Sequence, residues 1–273
     1  MFECMPVVFV SHGAPDALLK APDAVECWRK IGQQIPTPKS ILVVSAHWET
    51  QQASVSLARM PDTIHDFSGF SPELYDMHYS APGAPDLAEQ VASLLSAAGI
   101  SATLTPNRGL DHGAWVPLSA MYPQANIPVT QLSVPSNTSP AALVDLGRAI
   151  VPLRHEGVLI VASGAITHNF SWLDWEADAN EIPFPKAKAF TEWVAEQIGA
   201  QDSSTLLKYR SAPYGKESHP TEEHFLPIFV ALGAANGDQP KRYSPKFAYG
   251  GLAMDAYLWG NRTGKNHQEN VNG

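Results

Sequence analysis

The sequence predicts an α/β fold: a single domain with a central, mostly parallel sheet, helices on both faces and a metal site at the rim where strands end. Two observations carry this. Apolar runs of strand length alternate with segments of helical periodicity, the pattern of βαβ units that builds a parallel sheet covered on both sides. Several of those runs also lead into a histidine: Val7-Val8-Phe9-Val10 precedes Ser11-His12-Gly13, and Ile41-Leu42-Val43-Val44 precedes Ser45-Ala46-His47. In an open α/β sheet the carboxyl ends of the strands share one rim, so side chains distant in sequence converge there.

The strand-length runs are Pro6–Val10, Ile41–Ser45, Ser54–Ala58, Ala102–Thr105, Val129–Val134 and Val158–Ala162, several of them rich in the β-branched residues that suit a pleated, buried surface. Helices are expected over Ala21–Ile35, Asp86–Ala98, Ala141–Leu153 and Phe184–Ile198, where apolar residues recur at helical spacing. For the second of these, Asp86 puts a negative charge in the first turn after Pro85, and Gly99 supplies the stop. The stretch Pro61–Pro85 is instead rich in Pro, Gly, Asp, His and aromatic residues. It reads as a long ordered loop over the rim, and loops of that kind are usually functional. A second loop is expected over Ser203–Ser218, and both are expected to shape the substrate pocket. Residues 1–260 form one domain with no repeat or linker, and the polar tail 261–273 is expected to fray because no apolar anchor follows Trp259.

Composition narrows the function. With 44% hydrophobic and 16% charged residues in 273, the chain is globular and long enough for a large core. A net charge of −9, with no cluster of Lys or Arg, argues against nucleic acid and anionic membranes as partners. Two cysteines, Cys4 and Cys27, without CxxC spacing, fit inert thiols in a reducing compartment. No secretory leader pattern and no apolar run of about 20 residues is present, so a cytoplasmic protein is expected. Oligomeric state leaves no mark in the sequence.

One histidine beside a strand is usually a hydrogen-bonded structural residue, but several delivered to one rim suit a transition metal. His12 and His47 have small neighbours that permit close approach of backbone to a bound group. His168 follows the run Val158–Ile166 after a short loop, and His224 opens an apolar segment. The stretch Ser218–Phe225 reads as a helix start with Thr221 as N-cap. Within it His219, Glu222 and Glu223 compete with His224 as ligands. Pro220 holds His219 extended and directs it along the loop, while the two glutamates read as solvated charges. His65, His78, His155 and His267 lack a strand-end context and read as loop or surface residues. Hydrolytic and nucleotide motifs are absent: there is no GxSxG, HExxH, P-loop or GxGxxG after a strand, and Ser163-Gly164 lacks the preceding glycine of a nucleophile elbow.

Taken in order, Ser11-His12-Gly13-Ala14-Pro15, Ser45-Ala46-His47-Trp48, Thr63-Ile64-His65-Asp66-Phe67, Tyr75-Asp76 and Tyr79 with Ala81-Pro82-Gly83 form one series. It continues with Asp111-His112-Gly113-Ala114-Trp115, Ser163-Gly164, His168-Asn169 and Pro220-Thr221-Glu222-Glu223-His224-Phe225-Leu226-Pro227. Over this span the chain resembles the class III extradiol ring-cleaving dioxygenases, in the branch of 4,5-DOPA dioxygenase-like proteins related to the protocatechuate 4,5-dioxygenase catalytic subunit. The resemblance implies that His12, His47 and His224 bind one divalent metal, that His168 is the catalytic acid/base and that His112 lies against the substrate. It implies Fe(II) as the working metal and a small catechol and O2 as substrates, with a muconic semialdehyde as product. The protocatechuate enzymes use a glutamate as third ligand, whereas this sequence supplies His224. Three neutral imidazoles also suit Zn(II). Asp111 and Asn169 read equally as residues that orient the histidine rings and as plain turn residues. Two alternatives come from other classes: a zinc-dependent hydrolase, and a non-catalytic binding protein of the Memo type, against which a histidine at position 168 speaks.

Overall fold

The computed structural model describes residues 4–177 and 182–260; the tail from Asn261, with His267, lies outside them. Eight strands form one sheet. They are β1 (Val7–Ser11), β2 (Ser40–Thr50), β3 (Ala53–Ser56), β4 (Ala102–Thr105), β5 (Val129–Pro135), β6 (Val158–Gly164), β7 (Pro240–Tyr243) and β8 (Ala256–Trp259), in the order β4-β3-β5-β2-β6-β1-β8-β7. The central four, β5, β2, β6 and β1, are mutually parallel. β8 runs antiparallel to β1, and β3 antiparallel to β5.

Six longer helices cover this sheet: α1 (Pro22–Gln34), α2 (Pro85–Ala97), α3 (His112–Met121), α4 (Pro140–Ala149), α5 (Pro185–Gly199) and α6 (Pro227–Ala235). Alternate strand residues point to opposite faces, and two cores follow from that. Val7, Phe9, Leu42 and Val44 pack with α2, α4, α5 and α6, while Val8, Val10, Ile41 and Val43 pack with α1 and α3. Trp28 and Trp115 are fully buried on the second face, each burial contributing on the order of 1.5–3 kcal/mol. No helix of the described residues is long and apolar enough to cross a membrane.

The helix expected over Ala141–Leu153 ends at Ala149, with a separate turn at Pro152–His155. The Ser203–Ser218 loop contains short helical turns at Ser203–Leu206, Tyr209–Ser211 and Gly215–Ser218. Thr221 does not cap a helix. The chain turns through residues 221–226, and α6 begins only at Pro227, where the ring's fixed φ suits a first helical position and its missing N–H is no loss.

Candidate metal centre and substrate pocket

The rim formed by the ends of β1, β2 and β6 gathers the histidines. His12 follows β1 directly, and Gly13 turns the chain at φ +73°, where a Cβ would lie 2.6 Å from Met254 Cε. β2 runs beside β6 as far as Ser45 opposite Ser163, then shifts register against β5 between Val44 and Glu49. His47 sits in that irregular stretch, so its ring turns to the rim. Three residues separate β6 from His168. The 218–224 segment then lies so close to the end of β6 that a Cβ on Gly164 would stand 2.1 Å from the His224 carbonyl. Only glycine admits this approach, and the same carbonyl accepts the Ala165 N–H at 2.8 Å.

His12, His47 and His224 present Nε2 to one another. The Nε2 of His47 lies 3.1 Å from that of His12 and 3.2 Å from that of His224. Each Nδ1 faces an oxygen. Ser163 Oγ donates to the Gly113 carbonyl, so it accepts from His12 Nδ1 at 2.9 Å. Glu223 Oε1 takes His224 Nδ1–H at 2.9 Å, and Asp66 Oδ2 stands 3.4 Å from His47 Nδ1. With the proton on Nδ1 in each ring, three Nε2 lone pairs point at a common space. Lone pairs at such distances repel unless a cation lies between them, and the donor set suits a divalent transition metal. Burial first, and then the neighbouring imidazoles, hold His12 and His224 well below the ordinary histidine range. His47 is drawn down to about 3 by burial and by His112, against the opposing charge of Asp66. All three rings are therefore neutral, and available as ligands, at pH 7.

His112 opens α3, whose N-cap Asp111 accepts the Ala114 N–H at 3.2 Å. Asp66 Oδ1 receives both the His112 backbone N–H, at 3.0 Å, and its Nδ1–H, at 2.9 Å. The ring centroid lies 3.9 Å from that of His47. Burial alone would raise Asp66, yet the hydrogen bonds and charge of His112 hold its carboxyl at about 2. His168 stacks on His224 with centroids 3.4 Å apart and planes 10° from parallel. Burial lowers its pKa to about 4 against the pull of Glu223.

A cavity of about 850 Å³ opens on His47, His112, His168 and His224, walled by Phe67, Phe70, Phe170, Trp175 and Tyr249. All five sequence-predicted site residues thus meet in one place. Other expectations require correction. Glu223 is not a solvated charge but the partner of His224 Nδ1, while Glu222 pairs outward with Arg210. His219 does not point along its loop: it is fully buried, its Nε2–H bonded to the Ile166 carbonyl. The pocket draws on residues 66–73 of the first long loop but on none of Ser203–Ser218. Beside Gly13, Ala14 and Pro15 of the first motif, its remaining wall comes from Asp16, Leu19, Lys20, Phe170, Trp175, Tyr249 and Leu252, which sequence reasoning passed over. Asp111 is a cap that also accepts Ser45 Oγ–H and pairs with Arg108, and Asn169 holds the turn at Ser171 and bonds the Glu217 carbonyl. His65 packs behind Phe67, donating to the Met77 carbonyl; His78 and His155 are exposed. Asp66 is the residue most clearly missed, although it sits inside the His-Asp-Phe motif.

Residues 6–258 match the family described as the catalytic LigB subunit of aromatic ring-opening dioxygenase. The chain belongs to this family and is a class III extradiol dioxygenase, an enzyme that opens an aromatic ring with O2. That decides against the hydrolase and the binding protein. It is 41% identical to the 4,5-DOPA dioxygenase extradiol of Escherichia coli K12, across 86% of this chain and 87% of that one. It is 45% identical to the 4,5-DOPA dioxygenase extradiol of Beta vulgaris, across 83% and 85%. An uncharacterised protein from Escherichia coli K12, solved by crystallography, superposes with a TM-score of 0.77 at 36% identity, covering 94% of this chain and 100% of that one.

Proposed function

We propose that this enzyme cleaves the ring of a small catechol, DOPA or a relative of it, at a single Fe(II) held by His12, His47 and His224, releasing a muconic semialdehyde. The observation that carries the reading is the convergence of three Nε2 lone pairs whose Nδ1 partners leave no other use for them. A ferrous ion bound there supplies a Lewis-acidic centre for the two catechol oxygens and the electrons that activate O2.

The chain's own groups do the rest. His168, neutral and beside the cavity, takes a phenolic proton as the catechol enters and returns it later in the cycle to an oxygen that stays in the opened-ring product. Held near pKa 4 by burial, the ring is neutral and free to accept a proton at pH 7, and once protonated gives it up readily. His112, with Nδ1–H committed to Asp66, offers Nε2 to a substrate oxygen. The aromatic wall receives the ring and its side chain while excluding water. The names of the relatives support a DOPA-like substrate.

Protein purified without metal and reconstituted anaerobically with Fe(II) or with Zn(II) tests this. On admission of air and a panel of catechols, the Fe(II) form should produce the yellow absorbance of semialdehydes and the Zn(II) form should not. A colourless Fe(II) reaction across the whole panel would overturn the reading.

A further inference from the structure

Behind the site lies a histidine that no step of the proposed reaction uses. His219 is fully buried and takes no part in the cavity wall. Its ring is enclosed by Phe225, Phe190 and Tyr209, with centroids 4.9, 5.7 and 6.2 Å away. It donates from Nε2 to the Ile166 carbonyl at 2.8 Å, while Nδ1 has no hydrogen-bond partner. Burial pulls its pKa down to about 3, so the ring is neutral with its proton on Nε2. In an aromatic enclosure a leucine or methionine packs without stranding a polar atom, and a stranded acceptor carries a desolvation penalty. The donor therefore serves something other than packing.

What it holds is the link Ala165–Thr167, the three residues between β6 and His168. Three hydrogen bonds tie this link and His168 to the 218–224 segment. Ala165 N–H donates to the His224 carbonyl at 2.8 Å, and His168 N–H to the Ser218 carbonyl at 2.9 Å. The third is the His219 bond, and it alone depends on a side chain. Together they bring two strips of chain into one fixed relation, and the outcome is the 3.4 Å stack of His168 on His224.

We propose that His219 is a positioning residue: its Nε2–H bond to the Ile166 carbonyl sets the placement of the His168 ring against His224. This rests on the reading of His168 as acid/base. A displaced base loses rate steeply, since errors of about 1 Å can cost about 100-fold.

The test compares His219→Leu with His219→Gln, whose side-chain amide can renew the bond to Ile166, and places His219→Leu also in a His168→Ala background. In the Fe(II) enzyme, His219→Leu should lower kcat on the order of 10–100-fold, with iron content and KM near wild type and thermal stability kept or raised. His219→Gln should recover most of the rate. With His168 already replaced, His219→Leu should add little, because both changes act through one group. In the diamagnetic Zn(II)-loaded protein, long-range proton–nitrogen spectra should show the His168 ring resonances move in the leucine variant and return in the glutamine variant. Should the leucine protein fail to fold, His219→Met takes its place in each arm. Wild-type kcat in the apolar variant, or an undiminished loss when His168 is absent, overturns the proposal. Wild-type turnover by His168→Ala alone overturns the reading beneath it, and the proposal with it.

Discussion

The histidine floor of the cavity hangs from the ends of buried parallel strands, from the first turn of α3 and from a turn bonded to β6, whereas its aromatic roof rides on irregular loops. His12 is 1% exposed and His224 5%, against 65% for Phe170 and 45% for Trp175. Every floor histidine is tied down by its neighbours: His12 through Ser163, His112 and His47 through Asp66, His224 through Glu223, His168 through the Ser218 carbonyl. Of the roof residues, Trp175 meets Phe70, Phe170 and Tyr249, while Phe67 and Phe170 also reach down to His112 and His168. On the proposed reading, the division assigns reaction type and substrate choice to separate parts of the molecule. A rigid sheet holds the groups that must not move, and loops hold those that can be changed.

The division can be broken most directly at the floor. Replacing His224 by Ala removes one of three proposed ligands and should abolish both stoichiometric metal and turnover, read by elemental analysis beside oxygen uptake. Full iron content in that variant would place the metal elsewhere. His168→Ala should keep the metal and lose about 10²–10⁴ in kcat, the usual contribution of a positioned base. A metal-free His168→Ala protein would mean the ring is a ligand instead. Asp66→Asn leaves two histidine rings without their carboxylate, and should lower metal affinity or kcat on the order of 10–100-fold. An unaffected variant would make Asp66 a helix-terminus residue only.

Acid stability sharpens the contrast. His47, His168 and His219 sit near 3, 4 and 3 in the folded chain, against an ordinary value of 6.5, and His12 and His224 lie well below it. Below pH 6.5 the unfolded chain therefore binds more protons than the folded one. The stability these groups give is complete above 6.5 and is lost as pH falls toward 3. The urea midpoint of the metal-free protein should fall steadily between pH 7 and 4, and a flat profile would contradict the neutral, buried floor. At the roof, Phe70→Ala removes two aromatic contacts and Trp175→Ala three, each worth about 0.5–1.5 kcal/mol. They should change KM several-fold, differently for different catechols, with metal content intact. Loss of iron in either variant would erase the boundary between the two regions.

The same boundary decided what could be read in the sequence. The runs that became β1, β2, β5 and β6 are continuous and apolar because both faces are buried, and histidines at their ends inherit the rim from topology alone. α3 leaves no signal, and α6 is expected to start at Thr221, ahead of its true first residue Pro227. Nearly all their residues are buried, so no polar face marks a helical period, and Pro117 sits inside α3. β7, a charged edge strand of four residues, and β8, equally short, carry too little pattern to stand out. The carboxylates were missed for a different reason. Asp66 and Glu223 look like any acidic residue beside a histidine, and whether such a group faces solvent or a ring is fixed by how distant segments dock. Thr221-Glu222-Glu223 imitates a helix start, yet the helix waits for Pro227.

The Nε2 contacts of the floor join residues 35 and 177 positions apart, and this separation bears on when the site comes into being. In a zinc-finger-like module the ligands are close in sequence, so a metal can organise a nearly unfolded chain. Here the third imidazole is made only after β1 to β6 and five of the six longer helices, and it reaches the other two only once its segment has docked on the end of β6. The pairings among β1, β2, β5 and β6 must already exist for that to happen, and such non-local contacts form slowly. The three imidazoles of the proposed metal site therefore come together only when the fold that carries them is in place.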